Sequence, residues 1–231
     1  MQRHVNWEGG CLSYELTMKK VKNINLRVRE GRIVVSAPLR TAPPQVDRIV
    51  LSRAAWLAAA LEKQAARPCS VFEPGGQVYL QGRALPLIYV SGSPQVTAAG
   101  GELLVSAPSP AEIRTLLRRF MEKEAAPLFS QRLKALYPIA AAAGVAYPRL
   151  RLRWMTGRWG SCACTGGSIT LNKALLAASP VCLDYVILHE LCHFLHPNHS
   201  SAFYRTLADW MPEYRAAQDR LKGISPVDWT P

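Results

Sequence analysis

One short segment constrains the fold of this 231-residue chain more than any other. It holds four of the five histidines, which are His189, His193, His196 and His199. Ser179-Pro180 supplies an N-cap and a first-turn proline, so the sequence predicts a helix that begins there and is stopped by Pro197. At about 100° per residue, His189 and His193 lie about 40° apart on that helix. The chain is therefore expected to contain a helix that presents two imidazoles on one face.

The spacing of these two histidines suits zinc. Imidazoles one helical turn apart can bind the same ion, and Glu190 follows His189 in the H-E-x-x-H pattern of zinc hydrolases. A carboxylate in that position can take a proton from a metal-bound water. The segment thus predicts a hydrolytic zinc site with Glu190 as general base.

A catalytic zinc site needs a third protein ligand. His196 is the nearest candidate, but seven residues separate it from His189, which is about 10 Å along a straight helix. His199 is favoured because Pro197 ends the helix and lets the chain turn back. Glu213 is a rival of the type used by other zinc peptidases. The sequence therefore predicts one Zn²⁺ on His189, His193 and His199, with the fourth position open to water.

A closed structural zinc site is the alternative interpretation of the same segment. It would recruit a thiolate from Cys162, Cys164 or Cys192. Such a site has no use for a carboxylate at the second position of the motif, so the open site is favoured.

Charge is distributed unevenly along the chain. The sequence has 28 Lys and Arg against 16 Asp and Glu, and residues 111–180 hold 11 of the basic and 3 of the acidic side chains. Residues 149–154 read RLRLRW, a period of two that predicts a strand with Arg149, Arg151 and Arg153 on one face. That face is either simply solvated or, continued by Arg158, a surface that binds phosphate, nucleic acid or an acidic peptide.

The remaining sequence predicts two parts. Residues 1–109 form a β-rich α+β region with a helix over residues 44–67, and residues 110–231 hold a long linking helix followed by the metal-binding segment. Residues 31–38 (GRIVVSAP) and 101–108 (GELLVSAP) suggest a weak internal repeat of sheet and helix. Apolar runs are too short to cross a bilayer, the N-terminus lacks the apolar run of a signal peptide, and six cysteines suit a reducing compartment, so a cytoplasmic location is expected.

Several segments of the C-terminal half together resemble the YgjP-like metallopeptidases. These segments are residues 158–162 (RWGSC), 169–172 (ITLN), 184–193 (DYVILHELCH) and 198–200 (NHS) followed by Phe203. The family is similar in its catalytic helix to the SprT-like and WLM-type zinc proteases, which act on protein crosslinked to DNA. The resemblance implies an α+β, zincin-like catalytic domain with a small sheet beside the H-E-x-x-H helix. It also implies that the strand Ile169–Asn172 lines the cleft above the helix, which makes Asn172 a candidate substrate- or anion-binding residue.

The chain is accordingly interpreted as a zinc metallohydrolase, and first as a peptidase acting on peptides or proteins. His196 and Tyr204 are the candidates for stabilising the oxyanion of the transition state. One alternative is a metal-dependent nucleoside triphosphate pyrophosphatase whose arginine-rich strand binds phosphate. Another is a nucleic-acid-associated protein with structural zinc. The oligomeric state does not follow from the sequence.

Overall fold

The computed structural model describes residues 1–29, 31–65, 69–222 and 224–231, and this part of the chain has an α+β fold. The chain divides into two compact units, Met1–Arg67 and Pro68–Pro231. The boundary predicted between residues 109 and 110 falls inside the second unit and stays a prediction. None of the described helices combines the length and apolar character needed to span a bilayer.

The first unit is a four-stranded sheet with two helices. Its elements are β1 (Gln2–Trp7), β2 (Gly10–Lys19), β3 (Asn25–Arg29), β4 (Arg32–Pro38), α1 (Pro43–Ser52) and α2 (Ala54–Ala65). The strand order is β1-β2-β4-β3, with β2 and β4 parallel and the outer pairs antiparallel. In β2 the side chains of Leu12, Tyr14 and Leu16 are buried and their neighbours exposed, because alternate residues face opposite sides of a strand. This face packs with Val46 and Val50 of α1 in one core.

The single helix predicted over residues 44–67 is two helices. Arg53 leaves helical backbone angles, with φ −117° and ψ 11°, and separates α1 from α2. The spacing of apolar residues continues across this position, so it gave no sign of the break. Residues 66 and 67, at the end of the predicted helix, lie outside the described residues.

The second unit opens with a sheet of the same topology as the first. Its strands are β5 (Gln77–Leu80), β6 (Arg83–Ser91), β7 (Gln95–Ala99) and β8 (Glu102–Ala107). Their order is β5-β6-β8-β7, and β6 and β8 are the parallel pair. β4 and β8, which carry the two similar octapeptides, hold equivalent places in the two sheets. The weak sequence repeat therefore coincides with a structural repeat.

A long helix, α3 (Ile113–Ala141), joins this sheet to the rest of the second unit, and it continues through Pro127 and Pro138. Its buried side chains recur every four residues at Ile113, Leu117, Met121, Ala125, Phe129 and Leu133. Four residues turn a helix by about 400°, which is one full turn plus about 40°. The line of buried side chains therefore winds around α3 by about 40° per step and by about 200° from Ile113 to Leu133. The first two residues accordingly belong to the core beside β8, and those from Met121 onward to a second core.

That second core contains a three-stranded sheet and the remaining helices. These are β9 (Arg149–Arg153), β10 (Gly160–Ala163), β11 (Ser168–Asn172), α4 (Pro180–Cys192), α5 (Ser201–Trp210) and α6 (Tyr214–Leu221). β11 is central, antiparallel to β10 and parallel to β9. Arg132 of α3 donates to both carboxylate oxygens of Asp184 at 2.8 and 2.5 Å, which fixes α4 against α3.

Candidate active site

Helix α4 holds His189 and Glu190, and His193 is its C-cap. It begins at Pro180 with Ser179 as N-cap, as predicted, but its last residue is Cys192 rather than a residue next to Pro197. From His193 the chain tightens, and the amides of Phe194 and Leu195 bond to carbonyls three residues back. This tighter turn starts the change of direction before the proline is reached.

The turn after α4 brings His199 back to the helix. The distance between the Nε2 atoms of His199 and His189 is 3.0 Å. The ligand atoms of His189, His193 and His199 all lie within 4.8 Å of one another. Nitrogen ligands on one tetrahedral zinc lie about 3.3 Å apart, given bonds of about 2.0 Å, so the three imidazoles fit a common ion.

An aromatic ring supports the three imidazoles. The centroid of the buried Phe203 ring lies 4.9, 4.7 and 4.8 Å from those of His189, His193 and His199. α5 positions this ring through Ser200, its N-cap, whose hydroxyl accepts from the Phe203 amide at 3.3 Å. In the sequence, Phe203 is marked only by the family resemblance. Its position four residues after His199 at the start of a helix is the signal for this supporting role.

Hydrogen bonding and burial set the protonation of the ligands. His193 Nδ1 lies 3.0 Å from the carbonyl oxygen of His196, which can only accept, so Nδ1 carries the proton and Nε2 has a free lone pair. Burial lowers the pKa of His193, and burial together with the other two histidines lowers the pKa of His189 to about 4. Neutral imidazole is the form that binds a metal.

The described residues whose ligand atoms converge here are histidines alone. Cys192 is buried with its thiol directed at the Phe203 carbonyl, and Cys164 donates to the His193 carbonyl at 3.2 Å. The rival ligand Glu213 is exposed at the start of α6. The donor set is therefore three imidazole nitrogens, which suits zinc and leaves a fourth position for another ligand.

Glu190 is a buried carboxylate beside the cluster. It is 5 % exposed, and only burial and the charge of Arg158 act on its carboxyl group, with no hydrogen bond from a described residue. Burial raises its pKa to about 8, against the opposing effect of Arg158. A carboxylate held this way is available to exchange a proton with a ligand in the site.

Gly160 leaves the room that Glu190 occupies. A Cβ atom at Gly160 would lie 2.5 Å from Oε1 of Glu190 and 2.9 Å from its Cδ, so only glycine permits this approach. The sequence motif RWGSC contains this glycine, but its partner was not predictable because Glu190 is thirty residues away.

We expect Gly160→Ala to lower kcat about a hundredfold, because displacing a catalytic group by about 1 Å costs that much. Gly157→Ala is the matched control, since a Cβ there has no neighbour within 4 Å. Both variants should bind the same amount of zinc, measured by inductively coupled plasma mass spectrometry. Equal activity of the two variants would contradict this role of Gly160.

A cavity of about 370 Å³ opens beside His189 and Glu190. Its walls come from the start of β10, from α4 and from the region of α6, and they include Arg158, Trp159, Tyr185 and Gln218. Gln218 Nε2 donates to the Tyr185 hydroxyl at 3.2 Å and links α6 to α4. The cavity can receive a substrate group directly next to the histidine cluster.

Of the four arginines predicted to bind an anion or a substrate, only Arg158 lines this cavity. The other three form an exposed face of β9, as the alternation predicted, and they are Arg149, Arg151 and Arg153. The strand that contributes to the cavity is β10 rather than β11, because β11 is the central and buried strand.

The prediction that Asn172 contacts a substrate or an anion is wrong. Asn172 is fully buried, and its Nδ2 donates to the carbonyls of Met155 and Arg158 at 2.6 and 2.9 Å. Its Oδ1 accepts from the amides of Ala174 and Met155 at 3.1 and 3.4 Å. All of its hydrogen-bonding capacity is therefore used to hold the backbone that carries Arg158.

The two predicted oxyanion stabilisers differ in their surroundings. His196 is bonded through Nε2 to Thr206 Oγ1 at 3.0 Å. The Tyr204 ring stacks on His199 with centroids 6.1 Å apart. Tyr204 thus lies next to a metal-ligand candidate, whereas the His196 ring is engaged with α5. Both roles stay predictions.

The chain is similar to known proteins both in sequence and in structure. The model of the YgjP-like metallopeptidase domain matches residues 22–223. Among solved structures, the chain is similar to the metallopeptidase zymogen abylysin of Pyrococcus abyssi, with 26 % sequence identity and a TM-score of 0.35 over 40 % of this chain and 90 % of that one. No curated protein matches the sequence.

Proposed function

The chain belongs to the YgjP-like metallopeptidase family, and from this premise we propose that it is a zinc-dependent peptidase with Glu190 as general base and His189, His193 and His199 as zinc ligands. The observation that carries the proposal is the convergence of three imidazole nitrogens beside a buried carboxylate. No protein ligand fills the fourth position among the described residues.

When bound, zinc would lower the pKa of a coordinated water and polarise the substrate carbonyl. Glu190 accepts the proton of the attacking water and passes it to the leaving amine, since no other hydrogen bond holds its carboxylate. Phe203 holds the three imidazoles in place. Tyr204, stacked on His199, is the better-placed of the two proposed groups for stabilising the oxyanion.

The open edge of β10 supports a peptide as substrate. β10 is the end strand of its sheet, and the Trp159 carbonyl accepts from the Asn172 amide of β11 at 2.8 Å. In an antiparallel ladder the next residue, Gly160, directs its N–H and C=O to the opposite, open side. Gly160 also lines the cavity. An extended peptide can pair with this edge and present its carbonyl to the site.

The two alternative functions lack a comparable observation. Of the four arginines on which phosphate binding was predicted, Arg158 lines the cavity, whereas Arg149, Arg151 and Arg153 do not. A structural zinc does not account for the buried carboxylate next to the histidines.

The proposal is tested by metal removal and restoration. Protein purified without chelators is expected to carry about one zinc per chain and to cleave peptides in a mixed library, detected by mass spectrometry. 1,10-Phenanthroline should abolish cleavage and Zn²⁺ should restore it. Absence of bound zinc, or cleavage unaffected by the chelator, would overturn the proposal. Phosphate release from nucleoside triphosphates in the presence of Zn²⁺ and Mg²⁺ would instead support the nucleotide alternative.

A further inference from the structure

Two cavities have cationic walls, one lined by His189 and the other by Tyr204, whose ring stacks on that of His199. The first contains Arg158 and Lys222, and Glu190 is the one carboxylate among its described lining residues. The second has a volume of about 750 Å³ and is lined by Arg205 and Arg215 with no carboxylate among its described lining residues. The described wall of the second cavity therefore offers no acidic side chain to Arg205 and Arg215, and that of the first offers only Glu190.

The two cavities lie next to different ligands of the cluster. The first is lined by His189 itself. The second is lined by Tyr204, whose ring stacks on His199, and by Tyr214, whose ring centroid is 6.2 Å from that of Tyr204. Gln218 of α6 lines both cavities. A substrate lying across the cluster can thus place one side chain in each.

Two of the four cations make no side-chain hydrogen bond or ion pair within the described part of the chain, although Arg158 acts electrostatically on Glu190. Lys222 is 2.7 Å from Asp219, and Arg215 donates to the Tyr214 hydroxyl at 3.2 Å. Arg158 and Arg205 make no side-chain hydrogen bond or ion pair with a described residue. A free guanidinium offers a planar pair of donors that matches a carboxylate.

We infer that the preferred substrates are acidic peptide segments, with Asp or Glu side chains on the two sides of the scissile bond bound by Arg158 and Arg205. This inference rests on the proposed peptidase function and names its substrate class. The net charge of +12 also favours acidic substrates, because it attracts anionic chains to the surface of the protein. A peptide is favoured over nucleic acid because the open edge of β10 provides backbone pairing that only a polypeptide can use.

Matched peptides test the inference. Internally quenched peptides that differ only in Glu or Gln at the residues flanking the cleavage site should differ in kcat/KM at least about fivefold in favour of Glu, the upper range for one exposed ion pair. Arg158→Gln and Arg205→Gln should each reduce that preference several-fold. Arg119→Gln, an exposed change of equal charge on α3 that lines neither cavity, should leave it unchanged. Cleavage of both peptides at equal rates would overturn the inference and leave the peptidase proposal intact.

A binding measurement decides the inference even where turnover is undetectable. Fluorescein-labelled Glu and Gln peptides are titrated with zinc-loaded Glu190→Gln protein and followed by fluorescence anisotropy. The Glu peptide should bind at least about fivefold more tightly, and this advantage should fall several-fold in the Arg158→Gln background. Equal binding of the two peptides, or displacement of the Glu peptide by oligothymidylate at lower concentration than by unlabelled Glu peptide, would overturn it.

Discussion

Glu190→Gln is expected to lower kcat about a thousandfold, within the range that a positioned general base contributes. The amide has nearly the shape of the carboxylate but cannot accept the proton of the attacking water. No hydrogen bond of the described fold is broken by the change, because the Glu190 side chain makes none. Zinc content and melting temperature should therefore stay close to those of the unmodified protein.

The measurement is the initial rate on a cleaved peptide at saturating substrate, with zinc quantified in the same samples. Glu213→Gln serves as the control, since Glu213 is the carboxylate that the sequence offered as a rival and it is exposed at the start of α6. Loss of activity in Glu213→Gln, or full activity in Glu190→Gln, would show that the base has been assigned to the wrong residue.

His199→Ala is expected to weaken zinc binding at least about a hundredfold, because it removes one of three protein ligands and even supporting residues of a metal site contribute tenfold to a hundredfold. His199 is exposed, so the truncation leaves little unfilled space in the core. The stabilisation that zinc gives the folded protein should disappear with the affinity, since a ligand stabilises by mass action. Competition with a chromophoric zinc chelator and melting curves with and without zinc measure the two effects.

His196→Ala is the matched control for the third ligand. It removes an imidazole from the same turn, together with its bond to Thr206, but no member of the cluster. It should therefore retain zinc. The opposite pattern, with zinc lost in His196→Ala and kept in His199→Ala, would refute the ligand set.

The fold class and the core of the candidate site could be predicted from short-range patterns. The alternation over Arg149–Arg153 predicted a strand, and Ser179-Pro180 predicted the start of α4. The histidines lie within one helix and the turn after it, so their convergence depends on local geometry alone. This is why spacing favoured His199 over the nearer His196.

Features that depend on pairing distant segments could not be predicted in the same way. Gly160 approaches Glu190 only because β10 packs on α4. Nothing in the sequence near either residue predicts this contact. Asn172 has the side chain of a ligand-binding residue, and only its four surrounding backbone bonds identify it as structural. The break at Arg53 lies within continuous apolar spacing, so no local rule marks it.

The two four-stranded sheets have the same strand order but different relations to the proposed chemistry. The second is joined through α3 to the core that carries the histidines, whereas the unit Met1–Arg67 supplies none of the residues assigned to catalysis. Substitutions on the surface of Met1–Arg67 that keep its own core intact should therefore leave the catalytic constants unchanged.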